Sequence, residues 1–256
     1  MRTSTNIDNP YDITVIIPTF DRKNTLDRAI RSVLDQTLRP EQIVIVDNGY
    51  HDAEIAEDIV QHTHIVKTEP RIGPGKARNA GAAIAKTEYL AFLDDDDTWE
   101  SNYLEFSIDT LKQTDADIVV GQLKKADKYG TVKPYKMFPA DKKKQRSVYY
   151  KNPGFGGQNL LISKKMFLLV GGFDEKMPAS VDRDLAAKII GQGGRIVPQP
   201  LSVAVLHNHD NERVRDNIVI GNKMFIMKHW KAMSALEIFK ACKTLLKRYT
   251  KNLVRK

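Results

Sequence analysis

Cysteine is nearly missing from this sequence. Cys242 is the one example in 256 residues, so no intrachain disulfide can form. A reducing cytoplasm fits that usage, and the thiol reads as a small buried hydrophobe on a helix. Long apolar runs are missing too. Tyr89 to Leu93 and Met166 to Val170 are among the longest, far short of the ~20 residues a membrane-spanning helix needs. Met1 to Pro10 lacks the apolar core of a signal peptide. There is no internal repeat and no Pro/Gly/Ser-rich linker, and the length suits one large α/β domain. Acidic residues nearly vanish from two stretches. Residues 124 to 151 hold ten Lys or Arg against two Asp, and residues 223 to 256 hold ten against Glu237 alone. Such blocks imply a polyanionic partner, either a membrane surface or a phosphate-bearing substrate. Nucleic acid is not expected, because aromatics are only 8% of the chain and interleave poorly with the basic residues.

What is present centres on Tyr89 to Trp99. A short apolar run there leads straight into four carboxylates, Asp94 to Asp97. The run reads as a strand buried on both faces, and the acids fall just past its carboxyl end, where open α/β sheets bind ligands. Four adjacent carboxylates repel one another, and oxygen donors of this kind suit Mg2+ or Mn2+.

Around it, apolar runs and helical spacings alternate. Strands are expected at 13–19, 42–47, 64–67, 117–123, 160–163 and 201–206. Helices are expected at 25–38 (Asn24 or Thr25 as N-cap), 53–61, 102–113, 164–170 and 184–191. A glycine-rich loop, Gly73 to Gly81, feeds a further helix ending near Lys86. The β-α alternation over the first hundred residues predicts a mostly parallel, doubly wound, Rossmann-like sheet flanked by helices. The lysine-rich stretch to Lys151 reads as loop or hairpin, and Asn152 to Gly157 as a mobile substrate-side loop. The tail predicts a helix over 235–253, with Leu236, Phe239, Cys242, Leu246, Tyr249 and Leu253 on one face and Lys240, Lys243, Lys247 and Lys251 across from it.

Six fragments occur in a fixed order: Val15 to Phe20, Val44 to Gly49, Gly75 to Gly81, Phe92 to Asp97, Gly171 to Glu175 and Asp182 to Leu185. In this order they resemble the family 2 glycosyltransferases, which have the GT-A fold. The resemblance covers residues 13 to about 210. It implies a catalytic domain over 1–222, with a nucleotide-binding half near 13–100 and an acceptor half near 101–222, and a basic helical tail over 223–256.

The implied activity is transfer of a sugar from a nucleoside-diphosphate sugar, UDP first, to a saccharide or lipid-linked acceptor. Inversion at the anomeric carbon and Mn2+ or Mg2+ are implied with it, in surface polysaccharide or glycolipid synthesis. By the same resemblance Asp96, with Asp94 and a ring nitrogen of His207 or preferably His209, would hold the metal, and Asp95 would lie near the ribose. Pro18, Thr19 and Asp47 match positions that grip base and ribose, with Phe20, Asp21 and Asn48 beside them. Lys76 and Arg78 stand where a glycine-rich loop meets a helix N-terminus, a natural diphosphate site. Arg213 and Arg215 are further candidates for phosphate.

Asp182 is the expected general base and Asp184 the alternative. The family's usual acid before this pair is Val181 here and its aromatic is Arg183. Asn48 and Tyr50 likewise replace an acid and a serine. Two other readings compete. Asp94 and Asp96 fit the first motif of haloacid dehalogenase-type phosphatases, but that motif normally opens a domain. A non-catalytic basic peripheral module, binding anionic membrane or nucleic acid, would explain the lysine blocks and leave the acids unexplained. If the tail rests on anionic lipid, the enzyme sits at the inner face of the membrane.

Overall fold

The computed structural model describes residues 11–22, 25–207 and 215–253. Nine strands form one sheet: β1 (Tyr11–Thr19), β2 (Pro40–Asp47), β3 (His64–Lys67), β4 (Tyr89–Phe92), β5 (Thr98–Trp99), β6 (Ile118–Ala126), β7 (Val132–Lys136), β8 (Leu160–Ser163) and β9 (Ile196–Leu206). Their order is β3-β2-β1-β4-β8-β6-β9-β5, with β7 paired outside β6. The first four strands run parallel, whereas β8 enters antiparallel between β4 and β6.

Period-two alternation divides the core between the two faces of this sheet. Ile13, Val15 and Ile17 of β1, Ile43 and Ile45 of β2, and Ala91 of β4 face one cluster. This side is covered by α1 (Leu26–Leu34) and α4 (Tyr103–Thr114), whose buried residues recur at helical spacing. Ile16, Val44, Val46, Leu90 and Phe92 face the other cluster. There they meet α3 (Pro74–Ile84), α6 (Lys164–Leu169), α7 (Val181–Gly191), α8 (Arg215–His229) and α9 (Ala235–Leu253). Gly81 lets α3 lie close on the sheet, since a Cβ there would sit 2.5 Å from Ile16 Cγ2.

Several local expectations change. The helix expected over 53–61 is only α2 (Glu57–Val60), because Asp47 captures the Ala53 N–H and Asp27 the Ala56 N–H. Thr25 stands at the N-cap of α1 without capping through its side chain, and Asn24 lies outside the described residues. The lysine-rich stretch does form a hairpin, β6 with β7, but continues into α5 (Lys142–Gln145) and a 3-10 turn, Arg146–Tyr149.

The loop 152–157 is not a mobile flap. Asn152 Oδ1 accepts from the Gly154 and Phe155 N–H groups, Asn159 Nδ2 donates to the Gly121 and Gly154 carbonyls, and Phe155 is fully buried. The expected boundary at residue 222 falls inside α8, whose Asn222 and Phe225 are buried in the body of the protein. The tail helix α9 exists, but it packs through Glu237, Ile238 and Ala241. Leu236, Phe239, Leu246 and Tyr249 are more than half exposed, and Cys242 is exposed rather than buried.

Candidate active site

The ends of β1, β2 and β4, the first turn of α3 and the first turn of α7 meet above the sheet. Thr19, the last residue of β1, donates from Oγ1 to Asp95 Oδ2 at 2.8 Å. Burial pushes the Asp95 carboxyl up to about 6 despite that hydrogen bond. Asp97 is nearly enclosed, and burial, with the like charges of Asp94 and Asp96, pushes it up to about 8. One oxygen each of Asp94, Asp96 and Asp97 lies within 4.8 Å of the others.

Two arginines already lean on the cluster. Arg22 Nη2 is 3.1 Å from Asp96 Oδ2, and the buried Arg78 pairs with Asp94. Three hard oxygen donors converging at this spacing fit a hard divalent cation. Asp97, the last carboxylate of the run, therefore joins Asp94 and Asp96. His209 lies outside the described residues. His207 reaches the cluster's rim instead, its N–H donating to Asp97 Oδ1 at 3.1 Å and its Nε2 lying 3.0 Å from Thr98 Oγ1.

The two cations expected at the diphosphate separate. Lys76 is exposed on the first turn of α3, whereas Arg78, two residues on, points inward beneath Gly157. A Cβ on Gly157 would come within 2.6 Å of the Arg78 guanidinium, so the loop lies flat on it. Asp182 stands in the first turn of α7, after Ser180 in a left-handed conformation (φ 66°). Its carboxyl receives the Gly157 N–H and faces Arg78, yet burial raises it to about 6. Its Oδ1 is sealed from solvent and, among the described residues, has no hydrogen-bond partner.

Asp184 is on the opposite side of α7 and fully buried. His229 Nε2 and Lys228 Nζ are each 2.8 Å from its Oδ1, and Lys188 Nζ is 3.4 Å from Oδ2. Burial pushes this carboxyl up, but the bonds from His229 and Lys228 prevail and hold it below the ordinary Asp range. Asp184 thus has the partners of a structural ion cluster, with no lone pair open to the site.

At the end of β2, the buried Asp47 accepts from the Gly49 and Ala53 N–H groups at 2.9 Å each and from Lys67 Nζ at 2.8 Å. Asn48 Nδ2 donates to the Thr19 carbonyl at 2.6 Å, tying β2 to β1, and Pro18 is buried in register with Val46. Asp21 Oδ1 accepts from the N–H groups of Tyr50 and His51. Phe20 meets Tyr50 edge-on at 6.1 Å.

Beside these residues a cavity of about 490 Å3 opens between Phe20, Asn48, Arg71, Pro74 and Met177. Arg22 and Arg71 were not picked out in the sequence, and Gly157 only as the end of the expected loop. The one local sign was Arg71's place two residues before the Gly73-Pro74 helix start. Arg213 lies outside the described residues, and the same holds for the side chain of Arg215.

A mostly parallel sheet with an acid cluster at the carboxyl end of a central strand, and a cavity past the ends of β1 and β2, has the layout of the GT-A fold. The fold matches S. aureus TarS in complex with UDP-GlcNAc, with a TM-score of 0.68 at 17% identity over 93% of this chain and 72% of that one. Residues 14–169 match the family described as Glycosyl transferase family 2, and the chain belongs to that family.

Among its relatives are a cholesterol galactosyltransferase of Borreliella burgdorferi and the succinoglycan biosynthesis protein ExoO of Rhizobium meliloti. The first is 33% identical over 46% of this chain and 34% of the relative, the second 28% identical over 78% and 62%. The chain spans about a third of the length of the first curated relatives it matches, 34%, 33% and 35% in turn.

Proposed function

We propose that this protein transfers a sugar from a UDP-sugar to an acceptor hydroxyl, with inversion, in the synthesis of a surface polysaccharide or glycolipid. The observation that carries the reading is the convergence of Asp94, Asp96 and Asp97 past the end of β4, with the Asp182 carboxyl facing Arg78 beside them. In this reading the base and ribose occupy the cavity between Phe20, Asn48 and Arg71, and Lys76 meets the diphosphate at the α3 N-terminus.

Asp94, Asp96 and Asp97 would hold Mn2+ or Mg2+, which when bound supplies Lewis-acid stabilisation of charge on the leaving diphosphate. Asp182 accepts the proton of the acceptor hydroxyl as its oxygen bonds to the anomeric carbon and the bond to the diphosphate breaks. Arg78 keeps Asp182 available as a base by countering part of the burial penalty. Asp184 serves to anchor α7 rather than as an alternative base.

The test is calorimetric titration with UDP, with and without Mn2+, on the wild type and Asp96→Ala, alongside GDP and dTDP. Metal-dependent UDP binding lost in Asp96→Ala is expected. Binding of none of the three nucleotides overturns the reading.

The exposed face of α9 supports a peripheral position on the inner membrane surface. At 100° per residue, Lys240, Lys243 and Lys247 form a strip adjoining Leu236, Phe239 and Leu246, rather than one opposite them.

A further inference from the structure

The two lysine-rich blocks, about a hundred residues apart in sequence, meet in space. A cleft of about 650 Å3 lies on the α9 side of the molecule, and its lining brings together Lys136 from β7, Lys144 from α5, Tyr150 and Lys151 after the 3-10 turn, and Arg248 from α9. No Asp or Glu lines it. Among the described residues, none of these four cations is ion-paired with a carboxylate.

The neighbouring Arg146 is the contrast. Its Nε and Nη2 bond Glu237 at 2.9 and 2.7 Å, pinning α9 to the turn. Lys151 and Lys240 both approach the Tyr150 ring, at 5.9 and 5.0 Å, which adds a cation–π framework at the rim. Arg248 also acts at a distance: together with burial, its charge holds Arg183 down at about 10.

Four like charges held around one concavity repel one another, and the energy is recovered when an anion enters. Lysine and arginine donors at this density suit phosphate oxygens, and the volume admits a phosphate ester with its flanking polyol. The cleft also shares a wall with the active site. Asn152 and Pro153 line it, and the same loop ends at Gly157 above Arg78.

We propose that this cleft binds phosphate esters, carried by a soluble acceptor or by a lipid headgroup, separately from the nucleotide cavity. Naming it an acceptor subsite rests on the glycosyltransferase reading, whereas its anion binding does not.

The experiment compares wild type, the triple variant Lys136→Ala/Lys144→Ala/Arg248→Ala, and a charge-matched control, Lys86→Ala/Lys125→Ala/Lys165→Ala. The control changes three exposed lysines outside the cleft. Each protein is titrated with glycerophosphoglycerol, with phosphatidylcholine vesicles containing phosphatidylglycerol, and with UDP plus Mn2+. Thermal melts check that each variant is folded.

The cleft variant is expected to bind at least one phosphate ester about tenfold more weakly than the wild type, the scale of one or two lost charge-assisted bonds. The control should bind as the wild type does, and UDP binding should be equal in all three. Loss confined to glycerophosphoglycerol assigns a soluble acceptor, and loss confined to vesicles assigns the headgroup. Wild type that binds neither probe, or a control that weakens as much as the cleft variant, overturns the proposal. Because UDP is read in parallel, failure of the cleft and failure of the nucleotide reading are distinguishable.

Discussion

At the scale of single residues, the site turns on which carboxylates are already satisfied. Asp47 and Asp184 have full sets of partners and are buried, whereas Asp182 is only partly buried and, among the described residues, is bonded by the Gly157 N–H and faces Arg78. A general base works only when ionised, and Asp182 is raised to about 6, mainly by burial. The rate kcat/KM should therefore climb with pH through about 6 and level off above it. Asp182→Asn should lower kcat by about 10²–10⁴-fold, the usual contribution of a positioned base, and should remove that acid limb. Turnover at the wild-type rate with the limb intact would take Asp182 out of the role.

The sequence could nominate both acids of Asp182-Arg-Asp184 but could not rank their environments, because the deciding partners come from elsewhere. Gly157 and Arg78 lie on a loop and on α3, and Lys228 and His229 on α8. The same holds for Asp97, whose surroundings include the pairing of β5 with β9 and the His207 backbone N–H that follows β9.

At the scale of elements, strands announced themselves where both faces are buried. β1, β2, β4 and β8 are short apolar runs, and their bounds were legible to within a residue or two. Elements fixed by distant hydrogen bonds were not. The start of α2 is displaced by carboxylates of β2 and α1, and the loop 152–157 looked free because its glycines hide the two asparagines that pin it.

The joint between α7 and α8 is another such case, and it carries a stability prediction. Asp184→Asn leaves Lys188 and Lys228 near each other with only Asp174, on Lys228, as counter-charge. It should lower unfolding stability by about 2–4 kcal/mol, slightly under a fully enclosed pair because Lys228 is partly open. The folded carboxyl is held below its ordinary value of 3.8, so its contribution is complete above that pH. It fades as the pH falls through the lower folded value. Denaturant titrations of both proteins from neutral pH downward should show the difference shrinking only below about 3.8. A constant difference would place the effect in packing instead.

At the scale of the whole molecule, the net charge of +8 is concentrated by folding rather than spread. Composition revealed the two basic blocks. Their meeting was invisible, since it depends on the Arg146–Glu237 pair that lays α9 across the 3-10 turn. The outer side of the same helix presents the exposed apolar strip, and the pair Phe239→Ser/Leu246→Ser should abolish co-sedimentation with anionic vesicles while leaving UDP binding intact. Retained sedimentation would assign membrane contact, if any, to other residues.

The contact of Lys228 and His229 with Asp184 also bears on modularity. Evolution or an engineer could graft this catalytic unit onto another protein only with α8 complete. A cut at residue 222 would strip the buried carboxylate of two of its three basic partners. The smallest transplantable piece therefore runs at least through His229, and because Met233 and Ala241 enter the same core and Glu237 pairs with Arg146, the helix beyond it is bound to that piece rather than hung from it.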